Sequence, residues 1–263
     1  MATQIKIQKA KSVRKTIGIL DFFSEEREST LVMDISRALN IPQSSASEAL
    51  GALVEMGVLF RDPMTKSYSP TARLASLGIA PQPQAIKDGR LFNLMDEVSR
   101  RTKAAVGIFG ICGLDAQLYQ ICKTGLDKQE NERFQNLRSG NKIALYPSEI
   151  GIALLSALEP EQSDKLLWRM CSEAKTDGKF DYADACKRVS HFRAKPWVTG
   201  NAGLGNNLQA TVTLLPNTFG NKPIAIAVIH EFLHFKQSML RAKFENALNR
   251  AICSHGETTG AGH

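Results

Sequence analysis

Apolar residues recur at helical spacing through residues 12–56 and predict three helices. The first helix has one apolar face, made of Val13, Ile17, Leu20 and Phe22 or Phe23. The second is short and has an apolar face of Val32, Ile35 and Leu39. It is expected to end at Asn40-Ile41-Pro42, because asparagine tolerates a left-handed conformation and proline biases the preceding residue away from helix.

The third helix is predicted to begin at Gln43, with its two faces of different character. Ala46, Leu50, Leu53 and Val54 form the buried face. Ser44, Ser45, Ser47 and Glu48 face outward. A short helix, a tight turn and a second helix with a small polar exposed face are typical of helix-turn-helix DNA binding, in which the second of these two helices enters the major groove.

A β-hairpin is predicted directly after the third helix. Gly57 ends the helix, and two short strands, residues 58–61 and 67–69, flank a turn at residues 62–66. The pattern is that of a winged helix-turn-helix. Arg61 and Lys66 stand at the tip of the wing, where their charges can meet phosphate and position the protein on DNA.

The remaining two thirds of the chain predict an α+β domain with an antiparallel sheet. Two prolines in Ala80-Pro81-Gln82-Pro83-Gln84 predict a linker, placed at about residues 79–90, between a domain at 1–80 and a domain at 81–263. Ser148 is a candidate helix cap. Helices are predicted at residues 86–101, 150–158, 160–194 and 236–253, and strands at 104–112, 116–123, 208–215 and 224–229.

Composition narrows the class of protein. The chain of 263 residues has no apolar run near the ~20 residues that span a bilayer, and its N-terminus has no apolar signal core, so we expect a cytoplasmic protein. The five cysteines are widely spaced without a C-x-x-C pair, which favours reduced thiols. A net charge of +7 permits nucleic-acid binding, although a basic N-terminus also occurs in tails charged for solubility.

One motif points to a different chemistry. His230-Glu231-Phe232-Leu233-His234 has the H-E-x-x-H pattern of zinc peptidases, which requires a helix so that both imidazoles share one face. The apolar run at 223–229 instead predicts a strand leading into His230. On a strand the two histidines would lie about 13 Å apart, too far for one zinc ion. We therefore expect no metal, and a zinc hydrolase stays as the alternative.

Several short motifs lie within residues 11–78: Ser12-Val13, residues 41–45, Glu55-Met56-Gly57 and Arg61-Asp62-Pro63. In these motifs the chain resembles the DNA-binding domain of the IclR family of bacterial transcription regulators. The recognition helix departs from the pattern, since Glu48 stands where a basic residue is common. Glutamate can accept from cytosine and Gln43 can pair with adenine. The predicted DNA-binding residues are Arg14, Lys15, Arg37, Gln43, Ser44, Ser45, Ser47, Glu48, Arg61 and Lys66.

The resemblance continues through "SGNKIALYPSEIGIALLSALEPEQ" and "LPNTFGNKPIAIAVI". It implies a GAF-like effector domain that binds a small carboxylated or aromatic molecule. A helix N-terminus at residues 148–151 offers N–H groups to a carboxylate, and His230 can respond to an acidic ligand. The predicted effector-binding residues are Leu145, Ser148, Glu149, Ile150, Gly151, Gln209, Thr211, Val228 and His230.

The resemblance as a whole predicts a transcription regulator that is not an enzyme and needs no cofactor. The resemblance also implies that it represses a catabolic operon and that its activity responds to the effector. A homodimer or homotetramer would bind double-stranded operator DNA with inverted-repeat symmetry. An effector domain that serves only for assembly is a further alternative.

Overall fold

The structure, a computed structural model, describes residues 2–23, 27–79, 81–173, 180–195, 197–205, 208–219, 222–231 and 242–246. The chain divides into two compact units, Met1–Gln82 and Pro83–His263. No helix among the described residues is both long and apolar enough to span a membrane. Each unit has its own hydrophobic core.

The first unit is a winged helix-turn-helix, as the apolar pattern predicted. Ile35, Ala46, Leu50 and Tyr68 belong to its buried core. The wing is an antiparallel pair in which Arg61 lies opposite Tyr68. The elements are α1 (Ala2–Asp21), α2 (Val32–Leu39), α3 (Gln43–Glu55), β1 (Leu59–Arg61), β2 (Tyr68–Pro70) and α4 (Ala72–Ile79).

The joints of this unit are formed by the residues that the sequence singled out. Asn40 ends α2 in the left-handed conformation, at φ 50°. The Ser36 hydroxyl then donates to the Ile41 carbonyl across the turn, at 2.7 Å. Gly57 adopts φ 71° after α3, and the Val58 N–H donates to the Leu53 carbonyl at 2.9 Å, which closes the helix end.

The apolar face predicted for α1 is covered only in part. Ile19 is fully buried, whereas Val13 and Ile17 are 62% and 52% exposed. Four apolar positions at helical spacing show that a helix has an apolar face, but they do not show what covers it. Here one side of α1 meets the core of its own unit and the other stays exposed within the single chain.

The second unit is an antiparallel sheet of six strands with helices on both faces. Its strand order is β5-β4-β3-β8-β7-β6. Residues 217–219 form a 3-10 turn, and residues 242–246 are helical. The elements are α5 (Gln84–Lys87), α6 (Arg90–Thr102), β3 (Ala105–Cys112), β4 (Asp115–Cys122), α7 (Lys128–Arg133), β5 (Lys142–Ala144), α8 (Glu149–Ser156), α9 (Pro160–Glu173), α10 (Tyr182–Ala194), β6 (Val198–Asn201), β7 (Leu208–Leu214) and β8 (Ile224–Glu231).

Alternation along the strands gives the sheet two separate apolar cores. Ala227 and Ile229 of β8 join the larger core, which contains Ile150 and Leu154 of α8. Val228, on the opposite face, joins the core that contains the apolar face of α6. The α8 face and the α6 face are therefore distinct environments, and a side chain on β7 or β8 belongs to one or the other.

Several predicted boundaries need correction. The helix expected at 86–101 is interrupted by Gly89, which adopts φ 77° between α5 and α6. The helical stretch expected at 160–194 is two helices, α9 and α10. The elements α4, α7, β5 and β6 were not predicted. Of the terminal helix expected at 236–253, only residues 242–246 lie within the described residues.

Candidate nucleic-acid interface and small-molecule cleft

The outward face of α3 is polar, small and without positive charge. Ser44, Ser47 and Glu48 are exposed, as predicted, and Gln43 is exposed as well. The helix contains neither lysine nor arginine. A Cβ atom on Gly51 would meet no described atom within 4 Å, so no neighbouring element covers the helix at that position. Such a face can approach base edges closely, but it supplies no attraction to phosphate.

Cations reach this helix from a neighbouring element. The Lys15 ammonium of α1 donates to the Ser45 carbonyl at 3.2 Å and to the Ser45 hydroxyl at 3.1 Å. A cation beside the first turn of a helix meets the positive end of the helix dipole, an arrangement that an anion would stabilise. Ser45 is therefore half-buried under Lys15, in contrast to the outward position predicted for it. Arg14 on α1 and Arg37 on α2 are both exposed.

The wing holds two further cations on an ordered turn. One Asp62 carboxylate oxygen accepts the N–H groups of Met64 at 2.6 Å and Thr65 at 3.0 Å. These bonds lower the pKa of the Asp62 carboxyl. The Arg61 guanidinium lies 5.6 Å from the centre of the Tyr68 ring, and Lys66 adopts a left-handed conformation at φ 60°. Both cations are exposed and pre-positioned by the hairpin.

In the second unit, the N-terminus of α8 is capped by Ser148, as predicted, and the cap occupies one of its N–H groups. The Ser148 hydroxyl accepts the Gly151 N–H at 3.0 Å and donates to the Ala144 carbonyl at 2.9 Å. A Cβ atom on Gly151 would stand 2.0 Å from the Leu145 carbonyl oxygen. The Leu145 backbone therefore packs directly against Gly151, and Ser148 already takes the Gly151 N–H that the sequence offered to a carboxylate.

The nine residues predicted to bind an effector do not form one pocket. Gln209 lies opposite His230 and Thr211 lies opposite Val228, all on the α6 face of the sheet. Leu145 and Ile150 belong to the core on the α8 face. The sheet therefore separates the strand residues from the helix residues. A single sequence does not show which alternate set of side chains on a strand faces a given helix.

A cleft does lie beside Glu149, between α8, α10 and β6. It is open to solvent, has a volume of about 590 Å³, and combines an apolar floor with a charged rim. The floor contains Ile152, Phe192 and Val198, and the rim contains Glu149, Asp184, Lys187, Arg188 and His191. Sequence reasoning missed every α10 residue of this cleft, because they lie more than 30 positions beyond the motif at 145–151 without a signal of their own.

An ion pair spans the cleft. The Arg188 guanidinium contacts a Glu149 carboxylate oxygen at 2.8 Å and donates to the Pro147 carbonyl at 2.9 Å. Burial raises the pKa of Glu149, and Arg188 partly offsets this effect. The Glu149 carboxylate also lies over Gly200, where a Cβ atom would stand 2.7 Å from it. The absence of a side chain at Gly200 therefore makes room for Glu149.

His230 is a buried strand residue. It lies in β8 and is 4% exposed, and its Nε2 is 3.4 Å from the Thr211 hydroxyl. Burial lowers the pKa of the imidazole. A separate recess of about 350 Å³ borders His230 and is also lined by Lys103, Arg133 and Glu231.

The H-E-x-x-H motif does not lie on a helix where it is described. His230 and Glu231 are consecutive strand residues, so their side chains point to opposite faces of the sheet. His234 lies outside the described residues. Among the residues that are described, no group of three histidine, cysteine, aspartate or glutamate side chains is placed to hold a metal ion. Nothing in this geometry supports the zinc hydrolase.

Comparison with known proteins agrees with both units. The family model of the IclR helix-turn-helix domain matches residues 12–63. The fold along the chain is similar to that of IclR from Thermotoga maritima, with 17% identity, a TM-score of 0.59 and coverage of 92% of this chain and 96% of that one. No match is found among curated proteins.

Two further solved structures share the fold. An IclR homolog from Microbacterium hydrocarbonoxydans, complexed with 4-hydroxybenzoate, has 14% identity and a TM-score of 0.60, covering 92% of this chain and 99% of that one. A regulator of the same type from Alicyclobacillus acidocaldarius has 13% identity and a TM-score of 0.59, with coverage of 92% and 95%. The similarity in each case covers 92% of this chain, so it includes residues of both units.

Proposed function

Residues 12–63 form an IclR helix-turn-helix domain in a chain with the fold of IclR-family regulators throughout, and from that premise we propose a ligand-responsive repressor. The protein binds an operator through α3 and the wing, and a small organic acid releases it. The observation that carries the proposal is the arrangement at α3. Its polar face, which has no positive charge of its own, has Lys15 bonded at its first turn, and the hairpin that follows the helix carries Arg61 and Lys66.

The roles of the DNA-facing residues follow from their chemistry. Arg14, Lys15, Arg37, Arg61 and Lys66 bind phosphates and position the protein without reading sequence. The α3 residues read base edges: Gln43 is suited to adenine and Glu48 to the amino group of cytosine. Ser44 and Ser47 add hydrogen bonds to either. Reading and anchoring are thus assigned to different elements of the same unit.

The operator is an inverted repeat bound by two copies of the chain. Val13 and Ile17 on α1, and Leu77 and Ile79 on α4, are exposed apolar residues of the first unit. A second copy would cover them, which supports a homodimer and allows a dimer of dimers. Symmetric dimers of helix-turn-helix proteins bind half-sites about one helical turn apart. A regulator bound at a promoter keeps RNA polymerase from that DNA, and we therefore propose repression.

The effector is an organic acid bound in the cleft beside Glu149. Lys187 and His191 at the rim favour a carboxylate, and Ile152, Phe192 and Val198 offer a surface for a ring. Arg188 is already paired with Glu149, so the exposed Lys187 is the better partner for a ligand. The complex of a related regulator with 4-hydroxybenzoate supports this class of ligand. The regulated genes would then degrade that acid.

Selection followed by titration tests the DNA-binding proposal. Full-length protein is used to enrich fragments from a random-sequence DNA pool, and the enriched DNA is titrated against a scrambled version at two salt concentrations. We expect an inverted repeat, tight binding to it and a steep salt dependence. Glu48→Ala should relax the preference at one base pair per half-site by about 1–3 kcal/mol. Equal affinity for the scrambled DNA would contradict the proposal.

Thermal unfolding tests the effector proposal. A panel of benzoates and aliphatic acids is added to the protein, and an acid at about 100 times its Kd should stabilise the second unit by about 2.7 kcal/mol. Lys187→Ala should remove the stabilisation, whereas Lys165→Ala, which removes an exposed lysine of α9, should keep it. If no acid in the panel stabilises the protein, the effector proposal is contradicted and a role in assembly is the alternative for the second unit.

A further inference from the structure

The tip of the wing carries an exposed methionine. Met64 is 87% exposed, more than any other large hydrophobic side chain among the described residues. Single exposed apolar residues are common on protein surfaces and need no explanation by themselves. Met64 differs because the turn that presents it is ordered and because cations stand on both sides of it in the hairpin.

The turn fixes the direction in which Met64 projects. The Met64 N–H donates to the Asp62 carboxylate at 2.6 Å. The Lys66 N–H donates to the Asp62 carbonyl at 3.0 Å, and the Asp62 N–H donates to the Ser67 carbonyl at 2.9 Å. Pro63 restricts the backbone directly before Met64. These bonds order the backbone before binding, so little conformational entropy is lost when the tip meets a partner.

Charge around Met64 favours DNA as that partner. Arg61 precedes it on the hairpin and Lys66 follows it, and both are exposed. The acid within the turn, Asp62, is bonded to backbone N–H groups of the turn. Two cations flanking an apolar tip match a minor groove, which has phosphates along both walls and stacked bases at its floor.

We propose that Met64 inserts into the minor groove of the operator and wedges between two base pairs. This inference rests on the proposed DNA-binding function and extends it to the shape of the DNA. Methionine is unbranched and flexible, and it is among the residues that unstack base steps from the minor groove and kink the duplex. Pyrimidine–purine steps yield most easily, so the wing selects such a step without a hydrogen bond to it.

The wedge complements a reading helix that offers few contacts. The small outward face of α3 leaves much of the specificity to be supplied elsewhere. A deformable step under each wing adds selectivity at positions that α3 does not touch. In the dimer the two wedges would bend the operator at two symmetric positions.

The test uses DNA selected from a random pool by the full-length protein. The fluorescent base 2-aminopurine is placed, one position at a time, at each base-pair step that flanks a half-site of the selected repeat. Wild-type protein should raise the fluorescence at one step per half-site, which reports unstacking. Met64→Ala should abolish that rise and weaken binding about tenfold. Met64→Leu should retain both the fluorescence rise and the wild-type affinity. Met56→Ala is the matched control, because it removes another exposed methionine, from the end of α3, and should change neither.

The outcomes separate this inference from the function beneath it. Sequence-selective binding with no fluorescence rise, or with a rise that Met64→Ala leaves intact, overturns the wedge and leaves the regulator. A Met64→Ala variant with unchanged DNA binding but altered sedimentation would show that the tip contacts protein, and it also overturns the wedge. If the protein selects no DNA at all, the proposed function and the wedge fail together.

Discussion

The two units differ in how far their notable polar side chains are exposed to solvent. In the first unit Gln43, Glu48, Arg61 and Lys66 are exposed. In the second unit Ser148 and His230 are buried, and the ion pair of Glu149 with Arg188 is largely shielded from solvent. A surface that meets a polyanion needs charges that remain free to contact phosphate. A recess that meets a small molecule needs polar groups that are held and partly desolvated.

This difference separates binding from stability in the first unit, and it links a polar contact to stability at Glu149 and Arg188 in the second. Exposed charges contribute little to folding, so their removal should change binding alone. Removal of a shielded polar group leaves its partner unsatisfied and should cost folding free energy. Trp168 and Trp197 both lie in the second unit, so tryptophan fluorescence reports the unfolding of that unit.

The largest effect is expected from the wing. Arg61→Ala combined with Lys66→Ala should weaken operator binding about 100-fold, since each phosphate left without its cation reduces the affinity on the order of tenfold. The slope of log affinity against log salt should also become shallower by about 1 for each of these phosphates. Filter-binding titrations measure both quantities. The melting temperature should not change.

Lys128→Ala combined with Lys142→Ala is the matched control, because it removes the same charge from exposed positions of the second unit. It should leave operator affinity nearly unchanged. Two results would contradict the proposal that the wing charges act on DNA binding and not on stability. One is a wing variant that also melts several degrees lower, and the other is a control variant that binds the operator as weakly as the wing variant.

The next effect concerns the ion pair across the cleft. Arg188→Ala should destabilise the second unit by about 2 kcal/mol, below the cost for a fully buried pair because both side chains keep some exposure. Arg169→Ala breaks an exposed pair with Glu173 and should cost less than about 0.5 kcal/mol. Urea unfolding followed by tryptophan fluorescence compares the two.

The cost of Arg188→Ala should depend on pH. The folded-state pKa of Glu149 is raised, so its contribution to stability is full below the unfolded-state value and is lost as pH rises through the folded-state value. Removing Arg188 raises the folded-state pKa further. The cost should therefore be largest at neutral pH and shrink as pH falls toward 4.5. A cost independent of pH would show that the carboxylate is not its source.

A smaller effect is expected at the cap of α8. Ser148→Ala should destabilise the second unit by about 1 kcal/mol, since the hydroxyl both accepts from Gly151 and donates to Ala144. Asp181→Ala removes the cap of α10 at an exposed site and should cost less. Equal losses in the two variants would contradict the role given to burial.

The smallest effect is expected at His230. Burial lowers its folded-state pKa, so its contribution to stability is present above the unfolded-state value of 6.5 and is lost as pH falls below it. His230→Gln should make stability less dependent on pH between about 7.5 and about 5.5. If the His230→Gln variant keeps the wild-type pH dependence of stability, that dependence arises from a group other than His230.

Prediction from the sequence succeeded where a local signal has one physical meaning. Asn40, Pro42 and Gly57 mark helix boundaries through backbone preference, and the structure uses all three. Ser148 caps α8 for the same local reason. The capping box of Asp127 and Glu130 begins α7 by the same chemistry, so this short helix, which was not predicted, also has a local signal.

Prediction failed where the answer depends on residues distant in sequence. Arg188 meets Glu149 across 39 positions, and no local pattern indicates the pair. The strand residue Gln209 was predicted to share a pocket with Ser148, although the sheet places them on different faces. Val13 and Ile17 have the same apolar character as Ile19, yet only Ile19 meets the core of its own unit. Each case requires the tertiary arrangement.

The most direct test of the account is a competition titration on the selected inverted repeat. Labelled repeat is bound by full-length protein and challenged with unlabelled repeat or scrambled DNA, for wild type, the double wing variant and its lysine control. The account predicts that at least about 1,000-fold more scrambled than specific DNA is needed for competition. It also predicts that only the wing variant loses affinity. Equal competition by the scrambled DNA, or unchanged affinity in the wing variant, would contradict it.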